Sequence, residues 1–293
     1  MDYFGLLKKS FQITLKHRYL WIFGIFIVGI KGLNYFTYLF PGNNNSTSTS
    51  SDVWTNYWVW LLIIVAIVLF ISLIWWVLSI IANGAILGSV KSIQKNESND
   101  FHTGFNFGVE KFWKVLLTTL ILVGIIFFAI IITSLPIILF SIANVLPLAV
   151  IFGLIMGLLD VVLIIYLMIL FPYALRLAVL DDFSPWNAYK ASFNLFKKNW
   201  SEILIVYLIL WAISMGIGIG YLFIILIVGG LLFGIGYAIY LASSLGTIIY
   251  ASIASVLFLV MMTFLSSVVS TFYSSMITLT YLEIIKKGKP ELV

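Results

Sequence analysis

The chain contains no cysteine, two histidines and little charge: 9% of its 293 residues are charged, against 62% hydrophobic. The missing cysteines exclude disulfides, thiolate metal sites and cysteine nucleophiles. His17 and His102 lie in different segments among basic or polar neighbours. As a metal pair they lack further ligands of suitable type, so both read as surface histidines. No nucleophile–base pair or metal constellation is visible, and the residues call for neither an enzyme nor a cofactor. Charge is scarcest between Glu202 and Glu283, where the 80 intervening residues (203–282) carry none. No water-soluble fold hides that much nonpolar surface, and the class that follows is an all-α integral membrane protein.

What is present is organised around Asp181–Trp200, D-D-F-S-P-W-N-A-Y-K-A-S-F-N-L-F-K-K-N-W. Ser184 followed by Pro185 predicts a helix start, with proline at the first helical position. Trp186, Tyr189, Phe193, Phe196 and Trp200 then recur at steps of three and four, while Asn187, Lys190, Asn194, Lys197 and Lys198 take the other side. An aromatic strip beside a cationic one suits a membrane headgroup boundary. Trp186, Lys190, Lys197 and Lys198, with Arg176 just before them, are therefore candidate interfacial lipid contacts. Asp181 and Asp182 read as carboxylates serving the helix N-terminus, or as a cation-binding pair.

Two other segments read the same way. Asp2–Arg18 carries Phe4, Leu7, Phe11 and Leu15 as an apolar stripe with Lys8, Lys9, Gln12 and Lys16 outside it. Lys91–Lys114 carries Phe101, Phe105, Val109, Phe112 and Trp113, interrupted by Gly104 and Gly108, which weaken the case for a continuous helix. The apolar run after Arg18 continues through Lys31 without a small-residue cleavage site, so an uncleaved span is expected in place of a signal peptide.

Spans are expected at about Tyr19–Phe40, Trp58–Ile81, Val115–Phe140, Leu148–Phe171, Ile203–Val228 and Ala251–Leu282. Trp54, Tyr57, Trp58 and Trp60 form a belt at the outer end of the second. Gly42–Asp52 is a polar loop, in which Asn44 and Asn45 fit glycan acceptor patterns by chance composition. Pro172 marks the exit of the fourth span. The uncharged stretch admits two or four crossings. Two are favoured, with G-G-L-L-F-G-I-G-Y-A-I-Y (Gly229–Tyr240) as a re-entrant or outer-surface piece between them.

This arrangement leaves fifteen of the sixteen Lys and Arg on one side, Lys31 being the exception. That bias places both termini in the cytoplasm of a cell whose plasma membrane holds the protein. The net charge of +5 is explained by anionic lipid headgroups, and nucleic acid is not an expected partner. The prediction is six transmembrane helices as three hairpins, each preceded by an amphipathic helix on the cytoplasmic face. All of 1–293 forms one membrane domain, with repeat units at 1–95, 96–180 and 181–293. S-F-Q-I at Ser10 and S-F-N-L at Ser192 are local echoes of that repeat.

N-G-A-I-L-G-S-V at Asn83, F-N-F-G-V-E-K-F-W-K-V-L-L at Phe105, D-D-F-S-P-W-N-A-Y-K-A-S at Asp181 and the closing Y-L-E-I at Tyr281 resemble the membrane domain associated with glycerophosphoryl diester phosphodiesterases and its stand-alone prokaryotic relatives. The resemblance covers nearly the whole chain and implies a six-span inner-membrane protein. In the phosphodiesterases the chemistry belongs to a separate soluble barrel, so the resemblance carries over no catalytic residue.

Asp160 is the single acid expected within a span. A carboxyl at that depth faces protein or water, and Gly153, Gly157 and Asp160 share one helix face on which G-x-x-x-G admits a close neighbour. Three roles are open: polar glue through a serine or asparagine, a proton or substrate pathway, and a pair with Lys31. The function expected from all this is non-catalytic, in lipid interaction or membrane organisation. The alternative is a transporter whose pathway includes Asp160.

Overall fold

The computed structural model describes residues 1–28, 50–97, 99–143 and 145–287, without the side chains of 50–61, 64, 242 and 244. Regular structure among the described residues is helical throughout. A short helix α1 (Tyr3–Lys16) leads into α2, helical over residues 20–28, and then α3 (Ser50–Gln94). Short α4 (Phe101–Glu110) leads into the hairpin of α5 (Phe112–Ile142) and α6 (Leu146–Leu180). Short α7 (Pro185–Lys198) leads into α8 (Trp200–Ile224), which passes through a π turn at Ile225–Gly229 into α9 (Gly230–Ala242), and α10 (Ser244–Lys287) returns. Among the described residues, five helical stretches are long and apolar enough to cross a membrane: Val65–Gln94, Phe112–Ile142, Leu146–Leu180, Trp200–Leu241 and Leu245–Lys287. Lys31, Asn44, Asn45 and most of the expected first span lie outside the described residues, as do the side chains of Trp54, Tyr57, Trp58 and Trp60.

Among the described residues, the long helices pack most tightly near one end, where the charged groups gather. There α3, α6 and α10 meet, and each carries one short helix: α4 lies on α3, α7 on α6 and α1 on α10. Cross-links tie the three central helices together. The Lys91 ammonium of α3 donates to the Leu180 carbonyl of α6 at 2.6 Å, and Arg176 of α6 reaches α10. Buried serines and threonines of α10 (Ser267, Thr271, Ser275 and Thr278) follow at steps of four, four and three along the face turned inward. Toward the other end the helices expose Leu, Ile, Val and Phe on most sides.

Two close approaches explain glycines. A Cβ at Gly108 of α4 would strike the Ile81 backbone oxygen of α3, and a Cβ at Gly84 would lie 3.2 Å from the Gly108 Cα. A Cβ at Gly24 of α2 would likewise strike the Ser267 carbonyl of α10. Gly104 and Gly108 therefore do not break α4. They are its buried, packing face, and the helix runs through them.

Three further expectations are corrected. Pro172 does not end α6, which continues to Leu180 because the residues after it, Tyr173 to Leu180, are buried among three helices whose packing outweighs one lost backbone bond. Gly229–Tyr240 is not a re-entrant piece but the continuation of α8. In an apolar sequence with no competing polar partner, helix satisfies every backbone group within the segment, and the π turn absorbs the change of register. The uncharged stretch is thus two helices reversing at Ser243, whose hydroxyl accepts the Gly246 N–H at 3.2 Å as the cap of α10. The 42 residues of Trp200–Leu241 measure about 63 Å at 1.5 Å per residue, far longer than the expected span.

Candidate functional site

Helix α7 begins at Pro185 as its sequence predicts, although the Ser184 hydroxyl makes no capping bond. Its packing face combines small residues with Tyr189 and Leu195. Ala188, Ala191, Ser192 and Leu195 are buried against α6 and α5, whereas Trp186 is 55% and Phe193 47% exposed. Lys190, Lys197 and Lys198 are exposed on its remaining side. Tyr189 departs from the aromatic strip: it is buried, and its hydroxyl donates to the Thr118 carbonyl of α5 at 3.0 Å. Burial pushes the Tyr189 phenol up, so it stays a neutral donor.

Between α5, α6 and α7 runs an open groove of about 470 Å³. Tyr166, Leu167 and Leu170 of α6 and Ile125 of α5 form its floor, and Trp186, Lys190, Phe193 and Asn194 of α7 form its rim. The Tyr166 ring meets Phe193 and Phe196 edge-on at 6.3 and 5.7 Å, fixing the aromatic wall. The Lys190 ammonium lies 5.9 Å from the centre of the Trp186 ring, a cation–π contact at the polar end. Tyr166 stands 20 residues along α6 from Leu146, about 30 Å at the helical rise. The groove therefore lies about one hydrocarbon thickness from the tip of the α5–α6 hairpin.

Asp160 lies on α6, half-buried, and the Thr133 hydroxyl of α5 is 2.8 Å from its Oδ2. Its partner is thus a threonine of the same hairpin, and Lys31 is outside the described residues. Among the described residues, nothing packs closely on the glycine face beside it. A Cβ at Gly153 would touch only Ile137 at 3.9 Å, and one at Gly157 would meet nothing within 4 Å.

Arg176 is 3% exposed, so the expected contact with a lipid phosphate gives way to an internal role. Its guanidinium donates to Thr278 Oγ1 at 3.1 Å, to the Pro172 carbonyl at 2.6 Å and to the Ser274 carbonyl at 2.9 Å, joining α6 to α10. The paired carboxylates do not serve the N-terminus of α7 either. Asp181 accepts from the Tyr281 hydroxyl of α10. Asp182, in the left-handed region at φ 60°, closes α6 while the Phe183 N–H returns to the Leu177 carbonyl at 3.2 Å. Its carboxylate accepts from Lys114 at 2.7 Å and Lys111 at 3.0 Å, and these two ammonium groups hold it down to about 2. Lys111 is raised in turn by Glu110 and Asp182. His17 caps α1, and His102 pairs with Asn106 in α4 at 3.1 Å, so the two histidines serve separate helices.

Sequence reasoning missed two links to α10, from Arg176 to Thr278 and from Tyr281 to Asp181. Their signal was the Ser/Thr spacing of α10, which marks a polar inner face along a helix otherwise apolar. No family model, curated protein or solved structure matches the chain.

Proposed function

We propose that the chain is a non-catalytic multi-pass protein of the prokaryotic plasma membrane that binds and organises lipids at the inner leaflet. In this reading six spans form three hairpins, both termini are cytoplasmic, and α1, α4 and α7 lie along the inner headgroup boundary. The resemblance to the phosphodiesterase-associated membrane domain belongs to the same reading. The observation that carries it is how the short helices present themselves. α1 turns Leu6, Ser10, Ile13 and Thr14 to the protein, α7 turns Ala188, Tyr189, Ala191, Ser192 and Leu195, and both leave large aromatics exposed beside lysines, as a helix touching protein, acyl chains and water requires. Against a transporter working through Asp160, what favours this reading is an amphiphilic groove at the lysine-bearing end of the hairpin, lined by α7.

Single cysteines test it, because the chain has none of its own. Cysteine at Lys9, Lys95, Lys190 or Lys287 is expected to resist an impermeant reagent applied outside the cell, and cysteine at Ser48 to react. Outside labelling at Lys287→Cys would give an odd number of crossings and sink the topology. Lipids retained through purification then report on the activity: an inner-leaflet lipid held in stoichiometric amount is expected, and a lipid-free protein that moves solutes across vesicles favours the transporter.

A further inference from the structure

We infer that the α5–α6–α7 groove is a discrete site for one anionic phospholipid of the inner leaflet, its headgroup at Lys190 and Asn194, its glycerol region over Leu167 and Leu170, and one acyl chain leaving past Tyr166 toward the hairpin tip. The inference rests on the proposed function and narrows it to one site and one ligand chemistry. Three observations converge on this occupant.

The volume, about 470 Å³, falls within the roughly 300–1,000 Å³ of small-molecule sites. The lining is graded: the floor residues Leu167 and Leu170 are 7% and 4% exposed, while the cation and amide stand on the rim. A floor without charge and a rim with one cation match a ligand that is apolar along its length and anionic at one end. Depth supplies the third argument. The groove lies about 30 Å along α6 from the hairpin tip, so a tip at the outer boundary of the hydrocarbon puts Lys190 at the inner headgroups. Lys190, Asn194 and Lys197 stand at i, i+4 and i+7, one face of α7, so a second cation follows the first along the headgroup plane. Lys190 is also held in place, since its contact with Trp186 keeps the ammonium over the rim.

The test uses the full chain in phosphatidylcholine vesicles containing a trace of phosphatidylglycerol with a photoactivatable acyl chain, and in a parallel sample phosphatidylcholine with the same chain. Cross-links are expected on the peptide containing Tyr166–Leu170 and on α7, with phosphatidylglycerol favoured over phosphatidylcholine by the roughly fivefold that contact of one ammonium with one net anionic headgroup in water is worth. Lys190→Glu is expected to abolish that preference, and Asn194→Trp, which fills the rim, to suppress labelling of the groove by both probes. Both side chains are exposed, so neither variant threatens folding. Equal labelling by the two probes, or an undiminished preference in Lys190→Glu, overturns the inference. Labelling at Phe4 and Phe11 of α1 in the same samples separates the two proposals. If α1 labels and the groove shows no preference, the site falls and the inner-leaflet reading stands; if neither labels, both fall.

Discussion

Ser10 and Ser192 are each the eighth residue of a 14-residue helix, and both are 0% exposed. The match extends in both directions. Leu6, Ser10 and Ile13 are buried in α1 where Ala188, Ser192 and Leu195 are buried in α7. Phe4 and Phe11 are exposed where Trp186 and Phe193 are. His17 caps the first helix and Asn199 the second. The surroundings match as well, for each helix lies on a long partner running toward the charged end, α10 for α1 and α6 for α7. Because α1 lies on the last helix of the chain, the first segment closes the assembly onto the final one.

The face centred on Ser10 and Ser192 holds these helices, so enlarging it is expected to hurt more than trimming the exposed aromatics. Ser10→Leu and Ser192→Leu should each cost about 1–3 kcal/mol by overpacking. Phe11→Ser and Phe193→Ser should leave stability in detergent nearly unchanged. Thermal unfolding of the four variants checks this, and equal losses on both faces would mean the aromatics are packed against protein.

Periodicity made the helices legible, together with the start at Pro185 and the lysine-rich end. It did not reveal which face packs. In a soluble protein the aromatic strip of α7 would be the core; where lipid is also a solvent for apolar side chains, Trp186 and Phe193 are free to face outward and the face of Ala188, Ala191, Ser192 and Leu195 takes the protein contact. Pro172 and Gly229–Tyr240 misled for a related reason. Rules that end helices in water weigh local propensity, whereas burial around Tyr173 and the need to satisfy backbone groups internally decide the matter here. Arg176 looked like an interface marker because its sequence neighbours are silent about Thr278 on a distant helix.

Glycines divide into those that matter and those that do not. Gly108→Ala puts a methyl against the Ile81 carbonyl and is expected to destabilise by about 1–3 kcal/mol. Gly157→Ala meets nothing within 4 Å and is expected to be neutral, or more stable by up to about 1 kcal/mol through helix propensity. Unfolding of the two side by side is the measurement. A costly Gly157→Ala would show a further packing partner against that face.

Arg176 makes three bonds from a planar fork that lysine cannot reproduce. Arg176→Lys is expected to cost about 1.5–3 kcal/mol, the value of hydrogen bonds to a charged group. Thr278→Val should cost less in the lysine background than in the native one. An unchanged cost of Thr278→Val would show that the threonine acts through packing alone.

Acid should loosen the turn after α6. The Asp182 carboxyl is depressed in the folded chain by Lys114 and Lys111, so its contribution is present above the usual value near 3.8 and is lost as pH falls through about 2. The Lys111 contribution has the opposite sense, present below the usual lysine value and lost as pH rises through its elevated one. With the Asp182 side chain 63% exposed, the effect is small and screened by salt. Asp182→Asn keeps the left-handed turn and removes only the charge. Its unfolding should vary less than the native chain's between pH 4 and pH 2, and a parallel pair of curves would reject the ion pairs.

The Asp160–Thr133 contact is the strongest local statement about the apolar half of the molecule. The threonine hydroxyl has one proton and three acceptors within reach: the Ala129 carbonyl at 2.9 Å, the Ile130 carbonyl at 3.0 Å and Asp160 Oδ2 at 2.8 Å. Only one receives it, and the choice decides whether the carboxyl binds the hairpin or merely adjoins it. Interhelical hydrogen bonds in membranes are worth about 0.6 kcal/mol on average and at most about 1.7. A bond from Thr133 to Asp160 predicts a coupling of that size between Thr133→Val and Asp160→Leu, and the same coupling with asparagine kept at 160 should survive, because its amide both donates and accepts. If the hydroxyl instead bonds back to Ala129, Thr133→Val costs the same in every background. A stability cycle in one lipid mixture distinguishes these cases. Strict additivity would detach Asp160 from α5 and return it to the list of groups available for a pathway.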